Sequence, residues 1–363
     1  MKDMIKQLLA EAGSRLPRYG LDEEQTAALT GYFRMTAERD DLLDTIVRYY
    51  TELYASQSPP SSVENYPEGD GLECGMLFAA IYYVRCELLE SVLAERGIPA
   101  YAVKKVPWHF RDLLTRSRHC YGEHGFRGMY RNGMIRYTYP RSYTLGRLSF
   151  EMTTFFGPYE VYRNKSDLSL IPMALPDIRY LPDGRQAPRD YTGDCYSTKL
   201  SADSRITGNT FHEDGTLDFT TVSLDGNEYE KVLGKGVPVI SVHVPGNEKL
   251  TAESVDESFA AAGKFFAQFY PDCGFRAYIC SSWLLDTGLR RLLGSDSNIL
   301  KFQSRFRIVL SSVNGFALYW NIFGIERPTP RTELIPRNAF QRGILKMLDE
   351  GGRLYSGNGF ILM

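Results

Sequence analysis

The chain has 363 residues, of which 43% are hydrophobic and 24% charged, with a formal net charge of −2 and a pI near 6.3. This composition is typical of a soluble globular protein, and the length predicts two domains. The small net charge and the lack of a long basic run exclude a general attraction to nucleic acid or to an anionic membrane surface.

The sequence contains no sign of a membrane anchor or a metal centre. Charged residues interrupt the apolar ones from Met1 to Leu16, unlike a signal peptide, and no run of about eighteen apolar residues could form a transmembrane helix. The six cysteines include no C-x-x-C pair, and the five histidines are dispersed. We therefore expect a cytoplasmic protein with free thiols, no bound metal, and no nucleic-acid or membrane partner.

Residues 1–115 are predicted to form a mainly helical domain. Apolar residues recur there at intervals of three or four, as they do on the buried face of a helix. The clearest examples are Leu42, Leu43, Ile46, Tyr50, Leu53, Leu77, Ile81, Val84, Leu88 and Val92. Gly97-Ile98-Pro99 then has the pattern of a helix end.

Residues 116–363 are predicted to form a second domain with a mixed β-sheet flanked by helices, which places the chain in the α+β or α/β class. Apolar residues alternate from residue 125 to 156 around Asn132-Gly133, a hairpin signal, and this predicts antiparallel strands. An irregular insertion with short strands is expected near residues 165–220, with a turn at Asp214-Gly215.

The segment from Val237 to Ser312 predicts the order strand, turn, helix, strand, helix, strand. Residues 239–244 form a β-branched strand that places Ser241 and His243 on one face. A helix is expected from Ser254, whose spacing to Glu257 fits a capping box. Its apolar stripe is Val255, Phe259, Ala262, Phe266 and Phe269. The turn before this helix is suited to a phosphorylated cofactor, because a helix N-terminus offers unpaired N–H groups and a positive dipole end.

The later elements are predicted from shorter patterns. Strands are expected at residues 275–281, 306–310 and 316–323, with helices at 286–302 and 339–348 and a Gly-rich tail at the C-terminus.

Four segments resemble elements of one bacterial protein family. Tyr143-Thr-Leu-Gly-Arg-Leu-Ser-Phe-Glu151 resembles its LGRLQFE, and His243-Val-Pro-Gly-Asn-Glu-Lys-Leu250 resembles its HIPxGGxL. Ser282-Trp-Leu-Leu-Asp286, followed by Ser297-Asn-Ile-Leu-Lys-Phe-Gln303, resembles SWLLD and SNIxxFQ, and Arg337-Asn-Ala-Phe-Gln-Arg342 is similar to RxTxLQR. The family consists of acyltransferase-domain proteins with an N-terminal N-acyltransferase domain and a C-terminal part similar to the GCN5-related N-acetyltransferases (GNAT).

The resemblance implies a GNAT-like N-acyltransferase that uses acyl-CoA or acetyl-CoA as co-substrate. An amine acceptor would attack the acyl group directly, and a homodimer is left open. In this superfamily the pantetheine lies along a splayed central strand, and the pyrophosphate sits on the turn and helix start that follow. The implied cofactor contacts in this chain are Val242, Val244, Gly246, Asn247, Lys249, Ser254 and Asn298.

Two departures from the superfamily pattern concern the same region. The usual pyrophosphate loop has several glycines, whereas only Gly246 is available here. The superfamily's Tyr general acid, seven residues after Asn298, is replaced by Arg305.

The candidate catalytic residues are His243, Glu151 and Asp286. His243 is a suitable general base for an amine nucleophile at neutral pH, and the carboxylates could also accept a proton. A structural role is the alternative for each: a hydrogen-bonded histidine at a strand end, or a carboxylate that caps a helix or pairs with an arginine such as Arg147 or Arg290. Two other functions compete: a non-catalytic GNAT-like binding module, favoured by the glycine-poor loop, and a carbohydrate-active protein, favoured by the aromatic and acidic region 143–230.

Overall fold

The computed structural model describes residues 1–56, 63, 72–188, 190–246, 248–313, 317–325 and 329–363. The chain divides into two compact units, Met1–Leu145 and Gly146–Met363. The predicted division lay thirty residues earlier, at 115/116. The segment in question, 116–145, is mostly helical and belongs to the first unit.

The first unit is helical, as predicted for residues 1–115. Its α-helices are α1 (Lys2–Ala10), α2 (Ala12–Arg15), α3 (Glu23–Glu38), α4 (Asp40–Tyr54), α5 (Leu72–Ala94), α6 (Val106–Tyr121) and α7 (Met129–Thr138), with short 3-10 helices at Leu16–Tyr19 and Ala100–Val103. The predicted apolar spacing on α4 is confirmed, because its buried side chains are Leu43, Ile46, Tyr50 and Leu53. The unit ends with strand β1 (Ser142–Leu145).

The antiparallel strands predicted from residue 125 were wrong up to residue 138, where the structure has helix α7. Asn132-Gly133 lies inside this helix and not in a hairpin turn. Gly133 has a packing reason instead: a Cβ at this position would lie 3.3 Å from the side chain of Leu113. The strands begin only at Ser142.

The second unit contains a main mixed sheet. The strands of the whole second unit are β2 (Leu148–Thr154), β3 (Tyr159–Asn164), β4 (Leu170–Ala174), β5 (Arg179–Tyr180), β6 (Tyr196–Ser197), β7 (Leu200–Ala202), β8 (Arg205–Phe211), β9 (Leu217–Asp225), β10 (Tyr229–Leu233), β11 (Pro238–His243), β12 (Ala277–Ser282), β13 (Arg307–Val313) and β14 (Tyr355–Leu362). Five of these strands belong to the main sheet, where they lie side by side in the order β2-β11-β12-β14-β13. Only β11 and β12 are parallel in this series, and the other neighbours are antiparallel. This mixed sheet confirms the predicted fold class.

The helices of the second unit are α8 (Ala252–Phe269), α9 (Asn298–Gln303) and α10 (Ala339–Asp349), with a π-helix at Leu318–Phe323 and 3-10 helices at Pro271–Cys273, Trp283–Leu285, Thr287–Arg291 and Arg331–Glu333. The predicted packing of α8 on the sheet is confirmed. Ala262 and Phe266 are buried, and the half-buried Phe259 lies with its ring centroid 5.8 Å from Phe150 and 5.1 Å from Tyr278.

The start of α8 differs from the prediction. The N-cap is Thr251, whose Oγ1 accepts a hydrogen bond from the Ser254 N–H at 3.2 Å, so Ser254 lies inside the first turn. The capping box predicted from Ser254 and Glu257 was therefore wrong. The helix begins three residues earlier, with Thr251 as its N-cap, so Ser254 is the N3 residue whose N–H the cap accepts.

Three predictions in the last hundred residues were also wrong. The helix expected at 286–302 is two short pieces, a 3-10 helix at Thr287–Arg291 and α9. The strand expected at 316–323 is a π-helix from Leu318, and Phe316 lies outside the described residues. The expected Gly-rich tail is β14, an inner strand of the sheet. Its glycines allow close approach, since a Cβ on Gly357 would lie 2.4 Å from the carbonyl oxygen of Leu285.

The region 165–220 is more regular than the expected insertion. It contributes strands to three small antiparallel sheets, β10-β3-β4, β5-β6 and β7-β8-β9. The predicted turn at Asp214-Gly215 is confirmed: it connects β8 to β9, Gly215 has φ +83°, and the His212 N–H donates to the Thr216 carbonyl at 2.9 Å. Elsewhere, none of the helices in the described residues has both the length and the apolar character needed to cross a bilayer.

Candidate active site

Two of the predicted catalytic side chains meet at the end of β11. His243 Nε2 lies 3.0 Å from Glu151 Oε2. The strand register explains the contact: Ser241 pairs with Glu151 across the antiparallel β2–β11 ladder, so His243, two residues further on, is the diagonal neighbour of Glu151 on the same face. Both are shielded from water, with side chains 24% and 11% exposed. The ladder thus fixes a histidine–carboxylate pair.

The same end of β11 is where the two parallel strands separate. Registered pairs between β11 and β12 are Ile240 with Tyr278 and Ser241 with Ile279, although both fully described strands continue beyond them to His243 and Ser282. Unpaired strand ends that diverge leave backbone groups available to a ligand. His243 therefore lies at the mouth of an opening between neighbouring strands.

The loop that follows β11 is braced by Arg147, which lies in the turn before β2. The guanidinium donates from Nη2 to the carbonyl of Glu248 at 2.8 Å and from Nε to the carbonyl of Lys249 at 3.1 Å. The Arg147 backbone N–H donates to Ser258 Oγ of α8 at 2.8 Å. Gly146 has φ +73°, and a Cβ there would lie 2.7 Å from the same Ser258 Oγ, which accounts for the glycine. Burial lowers the pKa of Arg147, but a guanidinium stays charged at neutral pH.

This brace determines where the loop N–H groups point. In a trans peptide unit the C=O and the N–H point in opposite directions. Because Arg147 binds the carbonyls of Glu248 and Lys249, the N–H groups of Lys249 and Leu250 are directed away from it. Neither N–H has a hydrogen-bond partner among the described residues. They form, with the N-terminus of α8 immediately after them, a row of backbone donors suited to an anion.

The N-terminus of α8 is also fixed from the side of α9. Arg305 donates to the carboxylate of Asp256 at 2.7 Å and to the carbonyl of Ala252 at 3.1 Å. The arginine that occupies the superfamily's general-acid position is thus engaged in holding the first turn of α8. This contact leaves the first N–H groups of the helix in a defined place.

Asp286, the third predicted catalytic residue, has a different environment. It is 2% exposed, and each carboxylate oxygen accepts a backbone hydrogen bond, from the Gly288 N–H at 2.8 Å and from the Tyr355 N–H at 2.9 Å. Burial raises the pKa of Asp286, while these two donors and the nearby Arg185 act in the opposite direction. The carboxylate caps the 3-10 helix Thr287–Arg291 and connects it to β14, in agreement with the structural alternative considered for it.

The other predicted contacts are distributed around the loop. The side chain of Val242 is buried on the α8 face of the sheet, Val244 follows the strand, and Gly246 and Lys249 are exposed in the loop. The Ser254 hydroxyl donates to the Thr251 carbonyl at 3.0 Å. Asn298 is exposed at the first position of α9, after its N-cap Ser297. Asn247 lies outside the described residues. The cofactor role of all seven stays a prediction.

In the described part of the chain, no three histidine, cysteine, aspartate or glutamate side chains are grouped so that they could hold a metal ion. All six cysteines lie within it, and none is disulfide-bonded to another.

The family model described as a GNAT-like C-terminal domain matches residues 142–361, more than half of the chain. The chain belongs to this family. The predicted GNAT-like domain is thereby confirmed, whereas an N-terminal N-acyltransferase domain stays a prediction. No curated protein matches the sequence.

Solved structures of an acyltransferase share the fold of this GNAT-like protein. One is a complex with decanoyl-CoA (TM-score 0.63) and another a complex with decanoyl-CoA and teicoplanin (TM-score 0.62). In each case 19% of residues are identical, and the alignment covers 97% of this chain and 87% of the other.

Arg147 is the site residue that was not predicted to act there. It was considered only as a partner for a carboxylate, yet its donors go to loop carbonyls. The signal for it was its place in the Leu-Gly-Arg segment that resembles the family. The long-range contact with the loop a hundred residues later could not be read from spacing.

Proposed function

We propose that this protein is an acyl-CoA-dependent acyltransferase that transfers an acyl group to an amine. The observation that carries the proposal is the His243–Glu151 pair at the point where β11 and β12 separate. It lies directly before a loop in which the N–H groups of Lys249 and Leu250 have no hydrogen-bond partner among the described residues. Membership of the GNAT-like family supports it. The complexes of the structurally similar acyltransferase with decanoyl-CoA suggest the same class of co-substrate here.

The pair supplies a proton acceptor for the amine. An ionised Glu151 accepts a hydrogen from Nε2 of His243, and this tautomer leaves Nδ1 as the basic nitrogen of the ring. The amine nitrogen attacks the thioester carbonyl carbon, a C–N bond forms, and the C–S bond breaks. The amine proton passes to His243 and the sulfur leaves as the CoA thiolate, which takes a proton to become the thiol. Glu151 stabilises the imidazolium that forms.

The loop after β11 is proposed to hold the CoA pyrophosphate. The N–H groups of Lys249 and Leu250, the first turn of α8 and the Lys249 ammonium provide donors and positive charge. The superfamily achieves a close backbone approach with several glycines, whereas here Arg147 turns the loop carbonyls away from the phosphate side. We propose that Val242 and Val244 contact the pantetheine through their backbone, and that Gly246, Asn247, Ser254 and Asn298 complete the site.

The acceptor is proposed to be a small-molecule amine. The similar acyltransferase was solved in complex with decanoyl-CoA and teicoplanin, so that protein binds a second molecule beside the acyl-CoA. A non-catalytic binding module is the competing function, and the single glycine of the loop is the observation that favours it. The two functions differ in whether a new amide is formed.

The test uses the full-length protein with acetyl-CoA and decanoyl-CoA. Calorimetry should detect binding of both, and mass spectrometry of mixtures with a panel of primary amines should detect an acylated amine and free CoA in equal amounts. Binding without any amide would favour the binding module. If the protein neither binds an acyl-CoA nor acylates an amine, the proposal is overturned.

A further inference from the structure

A cavity of about 510 Å³ lies within the second unit, away from α8. Three segments form most of its walls: the turn after β5, the 3-10 helix capped by Asp286, and the chain that leads into β14. Tyr191 and Met347 of α10 complete the lining. A cavity of this size is ordinary for a small-molecule site. Its composition is less ordinary, because three arginines, Arg185, Arg291 and Arg353, line it.

Arg185 is held in position but has an unused donor. Its Nη1 donates to Asp183 Oδ2 at 2.9 Å, and its guanidinium carbon lies 5.0 Å from the ring centroid of Tyr355. Its Nε is buried and has no hydrogen-bond partner in the part of the chain that the structure describes. A buried N–H without an acceptor costs free energy unless a ligand or water supplies one. The cavity beside it is where such an acceptor can enter.

Arg291 and Arg353 face the same cavity from the other two walls. Both are exposed, and neither forms a hydrogen bond or an ion pair with a described residue. Arginine presents a planar fork of donors that matches carboxylate and phosphate oxygens. Two arginines without acidic partners around one cavity therefore favour an anionic ligand.

The acidic residues of the cavity do not cancel this charge. Asp183 is engaged by Arg185, and Asp286 directs both oxygens to backbone N–H groups of Gly288 and Tyr355. With two acidic and three basic side chains among the lining residues, the arginines are in excess by one charge. Asp286 thus has a structural role in the cavity wall, and the guanidinium groups are available to bind an anionic ligand.

Two lining residues of the cavity, Asp286 and Tyr355, lie at the same edge of the sheet as the histidine–carboxylate pair. Because β11 and β12 are parallel, His243 and the segment after Ser282 leave the sheet in the same direction. Strand β14 runs antiparallel to β12 and starts at this edge with Tyr355. Two strand spacings of about 4.8 Å separate β11 from β14, which is within the span of a small molecule.

We propose that this cavity binds the anionic group, a carboxylate or a phosphate, of the amine acceptor. The amine would then extend along the sheet edge to His243 while Arg185, Arg291 and Arg353 hold the anion. This inference rests on the proposed function for the amine, but the binding of the anion does not depend on transfer. It narrows the acceptor class from amines in general to amines with an acidic group.

Binding is tested with probes that cannot react: p-toluate, its neutral methyl ester, and p-tolyl phosphate. Calorimetry on the full-length protein should show that at least one anion binds about tenfold or more tightly than the ester. The Arg291→Ala/Arg353→Ala double variant should lose this preference, and Arg342→Ala, an exposed arginine outside the cavity, should keep it. Circular dichroism checks that each variant is folded, and Arg185→Met provides an independent variant on the third wall. The two anions distinguish a carboxylate site from a phosphate site.

Transfer is tested separately with p-(aminomethyl)benzoate and its methyl ester as acceptors. A KM about tenfold lower for the acid, lost in the double variant, is the expected result. Anion binding by a protein that acylates neither these two amines nor any amine of the panel would leave the cavity assignment standing and reject the proposed function. If neither p-toluate nor p-tolyl phosphate binds more tightly than the ester, or if toluate does so but the two acceptors have equal KM values, the cavity assignment is overturned. Acyl transfer to either acceptor leaves the proposed function intact.

Discussion

Glu151 and Asp286 are two carboxylates of the second unit that differ in their partners and not in their burial. Glu151 is 8% exposed and Asp286 2%, so exposure does not separate them. Glu151 meets a titratable side chain at a sheet edge, whereas both oxygens of Asp286 meet backbone N–H groups from two separate elements. The first arrangement can exchange a proton, and the second connects a 3-10 helix to a strand. The class of partner is therefore a better guide to function than burial.

The largest expected effect is that of His243→Ala. Removing the proton acceptor should lower kcat for acyl transfer about a hundredfold to ten-thousandfold, while the Kd for decanoyl-CoA changes little. Steady-state kinetics and calorimetry measure the two quantities. His119→Ala, at an exposed histidine of α6, is the matched control and should have no effect on either. An unchanged kcat in His243→Ala would show that the His243–Glu151 pair takes no part in acyl transfer.

Asp286→Ala should instead weaken the fold. It leaves the buried N–H of Tyr355 and the partly buried N–H of Gly288 without acceptors, which should cost about 2–4 kcal/mol of the free energy of unfolding. Urea denaturation followed by circular dichroism measures the loss. The exposed Asp272→Ala serves as control and should change stability by about 0.5 kcal/mol or less. If Asp286→Ala were as stable as the control, the connecting role would be wrong.

The class of partner also indicates a structural role for His109 in the first unit, because the groups it contacts are not acidic. Its Nε2 lies 3.0 Å from Thr144 Oγ1 and its ring stacks on Tyr137, and burial lowers the pKa of His109 to about 3. The folded pKa is below the unfolded one, so the unfolded chain binds the proton and stability falls as pH drops below about 6.5. Between pH 7 and pH 5 the loss from this group should be about 2 kcal/mol. Urea denaturation at both pH values should show a smaller loss for His109→Gln than for the wild type, and an equal loss would contradict the assignment.

The smallest expected effect is that of Lys249→Glu in the loop after β11. Reversing one exposed charge beside the proposed pyrophosphate site should raise the Kd for CoA about tenfold, and the effect should shrink as salt is added. Lys264→Glu, an exposed lysine further along α8, is the control. Calorimetry at two ionic strengths distinguishes them. Equal affinities for the two variants would place the pyrophosphate elsewhere.

The histidine–carboxylate region could be predicted largely from sequence, because local alternation determines it. The β-branched run before His243 predicted β11, and strand parity put His243 and Ser241 on the same face. The contact with Glu151 needed the register of two strands that are ninety residues apart in the chain. That register is set by tertiary packing, which the periodicity of one segment does not contain.

The Asp286 region was predicted poorly, because glycines there allow neighbouring segments to pack closely against β14. Gly357 and Gly359 in β14 lack side chains since Leu285 and Phe306 occupy that space, and glycines are usually taken as signs of a loop. The Asn132-Gly133 pair misled the prediction of α7 for the same reason. Asp286 was taken as a possible base. Only its hydrogen bond from the Tyr355 N–H shows that it joins the 3-10 helix to β14.

The most direct test is the single-turnover rate of Glu151→Gln with bound decanoyl-CoA and a reactive amine. The glutamine keeps the size of the side chain but removes the charge that supports His243, so transfer should slow about tenfold to a hundredfold with unchanged decanoyl-CoA affinity. Glu257→Gln, at an exposed carboxylate of α8, should retain the wild-type rate. A wild-type rate in Glu151→Gln would contradict the assignment of the His243–Glu151 pair as the centre of the reaction.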